Sequence, residues 1–289
     1  MDDIIVIVGP TGVGKTKLSI ELAKKLNAEI INGDSVAIYK NLDIGSAKPT
    51  IEERENIPHH LIDVREVEEE YSVFDYQKDV RNLINEISSI GKRIIIVGGT
   101  GLYIKAALYD YTFKEGTTYN EYSNLTNEEL HKKISSFQKE DIPHINNRKR
   151  LVRLLNKYEN NEEITNNKDK KLYPIKVIGL TTSRDYLYER INKRVDIMLE
   201  QGLIQEVKDV VDKYKKFPTA MQGLGYKEVV DYINGIYTKD EMIEKIKMET
   251  RRYAKRQLTW FRKNKQTIWI DGTNDVQDNV KIILEEFGK

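Results

Sequence analysis

The residues Gly9, Pro10, Thr11, Gly12, Val13, Gly14, Lys15 and Thr16 read GPTGVGKT, a match to G-x-x-x-x-G-K-[ST]. An apolar run, IIVIV, precedes them and a helix-like run, KTKLSIELAKKL, follows. In that context the glycines let backbone N–H groups wrap an anion, and the helix N-terminus adds partial positive charge. Lys15 supplies a mobile cation and Thr16 a hydroxyl ligand for Mg2+. The chemistry implied is phosphate binding with magnesium, and the pattern alone leaves kinase, NTPase and other uses open.

Other residues narrow those uses. A regulatory GTPase needs a base-reading N-K-x-D, and the nearest string, NNKDK, places Asp169 one residue too early. A motor-type ATPase carries an acid at the end of an apolar strand, whereas IIIVGGTG ends in glycines and Thr100. That second backbone-rich turn lies where ligands of open α/β sheets bind, at the carboxyl end of a strand. The short strand EII runs into NGDSVAIY and brings Asp34 to the same edge. There Asp34 either caps a turn with Ser35, holds magnesium through water, or accepts a proton beside the bound phosphate. Ser46 and Lys48, in DIGSAKP, add small and basic groups near that edge. His59 and His60 are adjacent on an extended chain and point to opposite faces, which favours packing or hydrogen bonding over metal binding.

The elements that must hold these groups alternate. Short β-branched runs at Ile4–Val8, Glu29–Ile31, Arg93–Val97, Ile175–Leu180 and Thr267–Ile270 are separated by helical patterns, predicting a parallel sheet covered on both faces. Between Phe113 and Tyr173 only helical candidates occur, NEELHKKISSF and NNRKRLVRLLNKY, so residues 113–173 are expected to form a helical insertion into a core built from 1–112 and 174–289. The polar stretch Glu159–Lys171 is expected to be an exposed loop. Downstream come the amphipathic run Ser183–Tyr214, a basic helix around Arg251, and a last helix after Asp271.

The 289 residues carry 39% hydrophobic and 32% charged residues, the balance of a folded soluble protein. There are no cysteines, which excludes disulfides and thiolate metal sites. Asp2 and Asp3 stand where a signal peptide carries positive charge, and no apolar run reaches membrane-spanning length, so a cytoplasmic protein with no membrane partner is expected. The net charge of +1 hides an uneven distribution. Lys245–Lys265 is densely basic with one acid, Glu249, a composition suited to RNA phosphates, with Tyr253, Trp260 and Phe261 as stacking or core aromatics.

Nine stretches in order, GPTGVGKT, GDSVAIYKNLDIGSAKP, PHHLIDV, YSVFDY, VGGTGLYIKA, NRKRLVR, YERINKRVDIML, QGLGYKE and RRYAKRQLTWFR, resemble the tRNA dimethylallyltransferase family over nearly the whole chain. The resemblance implies an α/β fold: a P-loop, nucleotide-kinase-like parallel sheet with a helical insertion domain, and a tunnel where prenyl donor and RNA base meet. It implies that the loop holds the diphosphate of dimethylallyl diphosphate with Mg2+, in place of ATP. The acceptor would be N6 of adenosine 37 in the anticodon stem-loop of a tRNA with adenosines 36 and 37, and diphosphate would be released. By the same resemblance Asp34 is the general base, Ser35, Val36 and Ala37 line the base pocket, Thr100 and Gly101 form the tunnel turn, and Arg194 lies near the diphosphate. The matching RNA contacts are Lys149, Arg150, Leu151, Val152 and Arg153; Gln222, Gly223, Leu224, Gly225, Tyr226 and Lys227; and Lys255, Arg256, Gln257, Trp260 and Arg262. The chain departs from the family in having Ala37 where many members have glutamine, Ser46 for threonine, and TFKEGTTYNEYSN in place of an LPxAD turn.

This chemistry suits the residues. An adenine exocyclic amine is a weak nucleophile, and a carboxylate accepting one of its protons assists as the C–N bond forms. The departing diphosphate needs positive charge, and an allylic cation needs water kept away. Rival readings are a small-molecule kinase, an RNA-binding protein that senses a nucleotide, and prenyl transfer to a free adenine nucleotide. Nothing in the sequence requires more than a monomer.

Overall fold

The protein is described from a computed structural model that covers residues 3–111, 120–137, 142–160, 170–214 and 220–286. It divides into two compact units, one of Met1–Tyr109 with Lys171–Lys289 and one of Asp110–Lys170. These boundaries fall three residues before those expected from the sequence, 113 and 173, at each end.

The larger unit is built on six parallel strands: β1 (Ile4–Val8), β2 (Ala28–Asn32), β3 (His59–His60), β4 (Arg93–Gly98), β5 (Ile175–Thr181) and β6 (Ile268–Asp271). They lie in the order β3-β2-β4-β1-β5-β6. Five coincide with the β-branched runs to within a residue or so; the polar pair β3 has no such signal and forms by pairing its two histidines with Ile30 and Ile31. β1 shows why the sheet must be covered twice. Ile4, Val6 and Val8 pack into one apolar cluster and Ile5 and Ile7 into another, and all five are essentially inaccessible.

Helix α1 (Lys15–Leu26) follows the phosphate loop, α2 (Val73–Ser89) precedes β4, and α3 (Gly101–Leu108) follows it. Among the described residues, helices α4 (Asn127–Phe137) and α5 (Arg148–Glu159) are the elements of the smaller unit, around a core of Leu130, Ile134, Leu151 and Leu155. Of the polar stretch expected as a loop, residues 161–169 lie outside the described residues, as do 112–119 of the divergent turn. After β5 come α6 (Arg184–Glu200), α7 (Leu203–Lys213), a 3-10 turn at Ala220–Gln222, α8 (Tyr226–Ile233), α9 (Lys239–Phe261), β6 and α10 (Val276–Glu286). The starts of α2 and α9 are fixed by reciprocal caps, Ser72 with Asp75 and Thr238 with Glu241.

The loop between β2 and β3 borders the sheet's carboxyl edge and is held by the side chains of Glu206, Tyr226 and Lys48. Glu206, on α7, accepts hydrogen bonds from the backbone N–H groups of Asp43, Ile44 and Gly45 at 2.9, 2.7 and 3.1 Å. It also accepts one from the Tyr226 hydroxyl at 2.7 Å, and that hydroxyl accepts from Ser46 N–H at 3.1 Å. Lys48 seals the same loop: its ammonium, with the side chain 3% exposed, meets Asp43, Asp63 and the Tyr39 carbonyl at 2.7, 2.6 and 2.6 Å. Lys48 is therefore engaged in holding the loop and is not the spare basic group that the sequence suggests.

Removing the Glu206 carboxylate orphans several donors at once, whereas Tyr226→Phe leaves it three backbone partners. Glu206→Ala is expected to cost about 2–3 kcal/mol and Tyr226→Phe about 1 kcal/mol, read as a fall in the urea midpoint at unchanged slope. An unchanged midpoint for Glu206→Ala would contradict the anchoring.

Candidate functional site

Three carboxyl-terminal turns meet at neighbouring positions in the sheet, those after β1, β4 and β2. In the first, Gly9 has φ +148°, and a Cβ there would lie 2.6 Å from the Leu180 carbonyl oxygen, so only glycine fits. The turn after β2 is fastened to that after β4 by backbone hydrogen bonds, Gly33 N–H to Val97 at 2.8 Å and Thr100 N–H to Gly33 at 3.1 Å. Ser35 N–H donates to the Thr100 hydroxyl at 3.2 Å, which places Asp34 and Thr100 side by side. One Asp34 carboxylate oxygen accepts from Val36 N–H at 2.9 Å, so the turn-capping role is present. The same residue also lines the cleft.

That cleft is a cavity of about 830 Å³ whose wall includes the loop residues Thr11, Gly12, Gly14, Lys15 and Thr16 together with Asp34 and Arg194. A second cavity of about 620 Å³ is lined by Ser35, Val36, Gln222, Gly223, Leu224, Gly225, Lys227 and Arg256. The two share Thr11, Asp34, Ser46, Ala47, Arg194 and Tyr253 in their walls. Two chambers therefore adjoin at Asp34, one rich in phosphate-binding groups and one bordered by residues that the sequence marks for RNA.

The charges are strongly coupled. The Lys15 ammonium donates to the carbonyls of Gly9 and Pro10 at 3.0 and 2.8 Å, folded onto its own loop. Burial, and then the Arg194 guanidinium, draw its pKa from 10.5 down to about 8 against the attraction of Asp34. Burial also lowers Arg194, and Asp34 counteracts this. An anion entering here replaces lost solvent for both cations. Sequence reasoning missed Arg190 and Lys193, which line the first cavity from the same helix as Arg194. Their signal is the spacing of Arg190 and Arg194 by four residues, one face of α6.

Several expected RNA contacts have other duties. Tyr226 is fully buried and spends its hydroxyl on Glu206, so its side chain is a loop anchor. Leu151 is equally buried in the core of the smaller unit and offers no surface side chain, and Val152 is half-buried against that core. Arg148 directs its guanidinium to Leu125, Asn127 and Tyr122, leaving Lys149, Arg150 and Arg153 exposed on α5. Gln257 is 4% exposed and lines the first cavity; its carboxamide accepts from Thr11 N–H at 2.9 Å and donates to the Gly99 carbonyl at 3.1 Å. Lys255, Arg256 and Arg262 remain exposed on α9 and just past its end, while Trp260 leans on Gly101. Ala37 is buried in the wall of the first cavity. His60 meets Glu29 at 2.7 Å and His59 the Ile57 carbonyl at 2.8 Å, so both rings are engaged in hydrogen bonding.

Residues 37–264 match the family model for IPP transferase. The chain belongs to the IPP transferase family. It is 46% identical to the tRNA dimethylallyltransferase of Bacillus subtilis (strain 168), with 96% of this chain and 93% of that protein covered. The fold is similar to the crystal structure of a tRNA delta(2)-isopentenylpyrophosphate transferase from Staphylococcus epidermidis, with a TM-score of 0.77, 40% identity, and 100% and 99% of the two chains covered. It is also similar to a eukaryotic dimethylallyltransferase captured acting on tRNA, with a TM-score of 0.84, 29% identity, and 100% and 80% covered.

Because a bound diphosphate favours charged Lys15, binding above pH about 8 must take up a proton. The kcat/KM for a diphosphate donor is therefore expected to hold below pH about 8 and to fall as pH rises through it. Lys15→Met should weaken donor use and remove that inflection. A wild-type profile flat from about pH 7 to about pH 9 would contradict the assignment.

Proposed function

We propose that this chain transfers a dimethylallyl group from dimethylallyl diphosphate to N6 of adenosine 37 in tRNA, releasing diphosphate. The adjoining of two chambers at Asp34 is the observation that carries this reading. In it, the first chamber takes the donor with its diphosphate on Gly9–Thr16, and the second takes an adenine unstacked from the anticodon loop, whose bases are cheapest to extrude where single-stranded.

The reaction breaks the bond between the allylic carbon and the diphosphate oxygen, and the electron pair leaves with diphosphate. The N6 lone pair forms the new C–N bond, and Asp34 accepts the N6 proton. Backbone amides of the loop, Lys15 and Arg194 hold the developing negative charge. Thr100, bonded to the Asp34 turn through Ser35, orients the acceptor side. The allylic centre must be kept from water, and in this account the two bound substrates themselves close the junction. Exposed Lys149, Arg150 and Arg153 on α5, and Lys255, Arg256 and Arg262 at α9, bind RNA phosphates in this account. Mg2+ suits the hard oxygen donors of the first chamber, the Thr16 hydroxyl above all, and when bound it supplies charge neutralisation to the leaving diphosphate.

No described helix is long and apolar enough to cross a membrane. With tRNA as the acceptor, we infer a cytoplasmic, monomeric enzyme.

The deciding assay incubates the protein with Mg2+, labelled dimethylallyl diphosphate and unmodified tRNA carrying adenosines 36 and 37, beside free AMP. Label is expected in tRNA; its absence overturns the reading, and label in AMP transfers the reaction to a free nucleotide. Asp34→Ala is expected to lower kcat by about 10²–10⁴-fold with tRNA affinity little changed. Wild-type turnover in that variant would remove Asp34 from the base role.

A further inference from the structure

We propose that Gln257 is a positioning residue that fixes the diphosphate cradle against the turn carrying Thr100, tying donor use to the RNA-facing helix α9. The proposal rests on the reading of Gly9–Thr16 as a diphosphate site. Gln257 reaches 246 residues back to Thr11 and 158 back to Gly99, and both partners are backbone groups of the turns that form the cleft. A buried carboxamide is the side chain that can serve both, since it offers an acceptor and donors in one plane; carboxylates lack the donor and cationic side chains the acceptor. By accepting from Thr11 N–H it orients the peptide unit at the start of the loop and the amides that follow. By donating to Gly99 it pins the turn that leads into Thr100. The fit is close: a methyl at Gly99 would lie 2.1 Å from the Gln257 amide nitrogen.

Its neighbours on α9 reinforce the arrangement. Tyr253, one turn earlier, stands in the wall shared by both chambers, near the side chains of Thr100 and Gln257. Burial pushes its phenol up to about 12, so it stays protonated throughout the working range. Trp260, almost one turn later, lies against Gly101. Residues 253, 257 and 260 form one stripe at helical spacing, with Arg256 beside it in the wall of the second cavity, while Lys255 and Arg262 face outward. A shift or rotation of α9 on docking RNA is therefore delivered to the loop and the turn together, through a rigid element with buried polar contacts at its inner face.

The test uses the full chain and two variants: Gln257→Met, which keeps the volume and removes both hydrogen bonds, and Gln257→Asn, whose shorter stem reaches one partner at most. Four quantities are measured: binding of inorganic diphosphate with Mg2+ by calorimetry, kcat and donor KM, tRNA affinity by filter binding, and thermal unfolding. For Gln257→Met, diphosphate affinity is expected to fall about tenfold and kcat about tenfold, with tRNA affinity within about twofold of wild type. Gln257→Asn should fall between. Weakened tRNA binding with unchanged diphosphate affinity would overturn the proposal by making Gln257 an RNA contact. A lowered melting temperature with unchanged kcat and donor KM would overturn it by reducing Gln257 to a brace. Failure of the wild-type chain to bind diphosphate would overturn the reading of the loop, and the proposal with it.

Discussion

The site depends on one close approach, the backbone of Gly98 against that of Gly33. A Cβ on Gly98 would lie 2.2 Å from the carbonyl carbon and oxygen of Gly33, so no side chain can stand between the turns after β4 and β2. With the turns touching, Gly33 N–H reaches Val97 and Thr100 N–H reaches Gly33, and the acid and hydroxyl that follow are carried into register. A parallel sheet brings strand ends to one edge as a matter of topology. The small residues bring them to atomic contact, and that contact makes Asp34 common to both chambers.

Electrostatics then gives the junction its character. Lys15 and Arg194 are held in a partly desolvated wall where each raises the other's cost, and Asp34 offsets part of it. Such an arrangement is poor for stability and good for binding an anion, since a diphosphate removes the repulsion on arrival. The outward basic groups of α9 act on a different scale: exposed and screened by salt, they steer and hold RNA without setting geometry. Geometry is left to the inner face of the same helix.

Much of this was legible in the sequence, for identifiable reasons. The phosphate loop, the strand ends at Asp34 and Thr100, and the helical insertion all follow from local patterns: a glycine spacing, β-branched runs, and a stretch without them. What the sequence hid were long-range polar contacts. Glu206 lies in an ordinary amphipathic helix, and nothing nearby reveals that it gathers three backbone donors more than 160 residues away. Gln257 sits among basic, RNA-like neighbours and Tyr226 in a stretch matched to RNA contact, and both read as surface residues, yet both are buried. Leu151 belongs to a stretch that resembles an RNA contact, although helical spacing from Leu155 assigns it to the apolar face. β3 could not be read because two polar residues carry no periodicity, and its partner strand alone defines it.

The central claim is that the loop cradles a leaving diphosphate while Asp34 receives the acceptor's proton. The most direct measurement is a crystal structure of this chain with tRNA and an unreactive thiolo analogue of dimethylallyl diphosphate. The account predicts the diphosphate on the amides of Gly9–Thr16, with Lys15 turned from the Gly9 and Pro10 carbonyls toward it, and an extruded adenine whose N6 lies within hydrogen-bond reach of Asp34. A diphosphate bound away from that loop, or an adenine whose N6 faces another group, would contradict it.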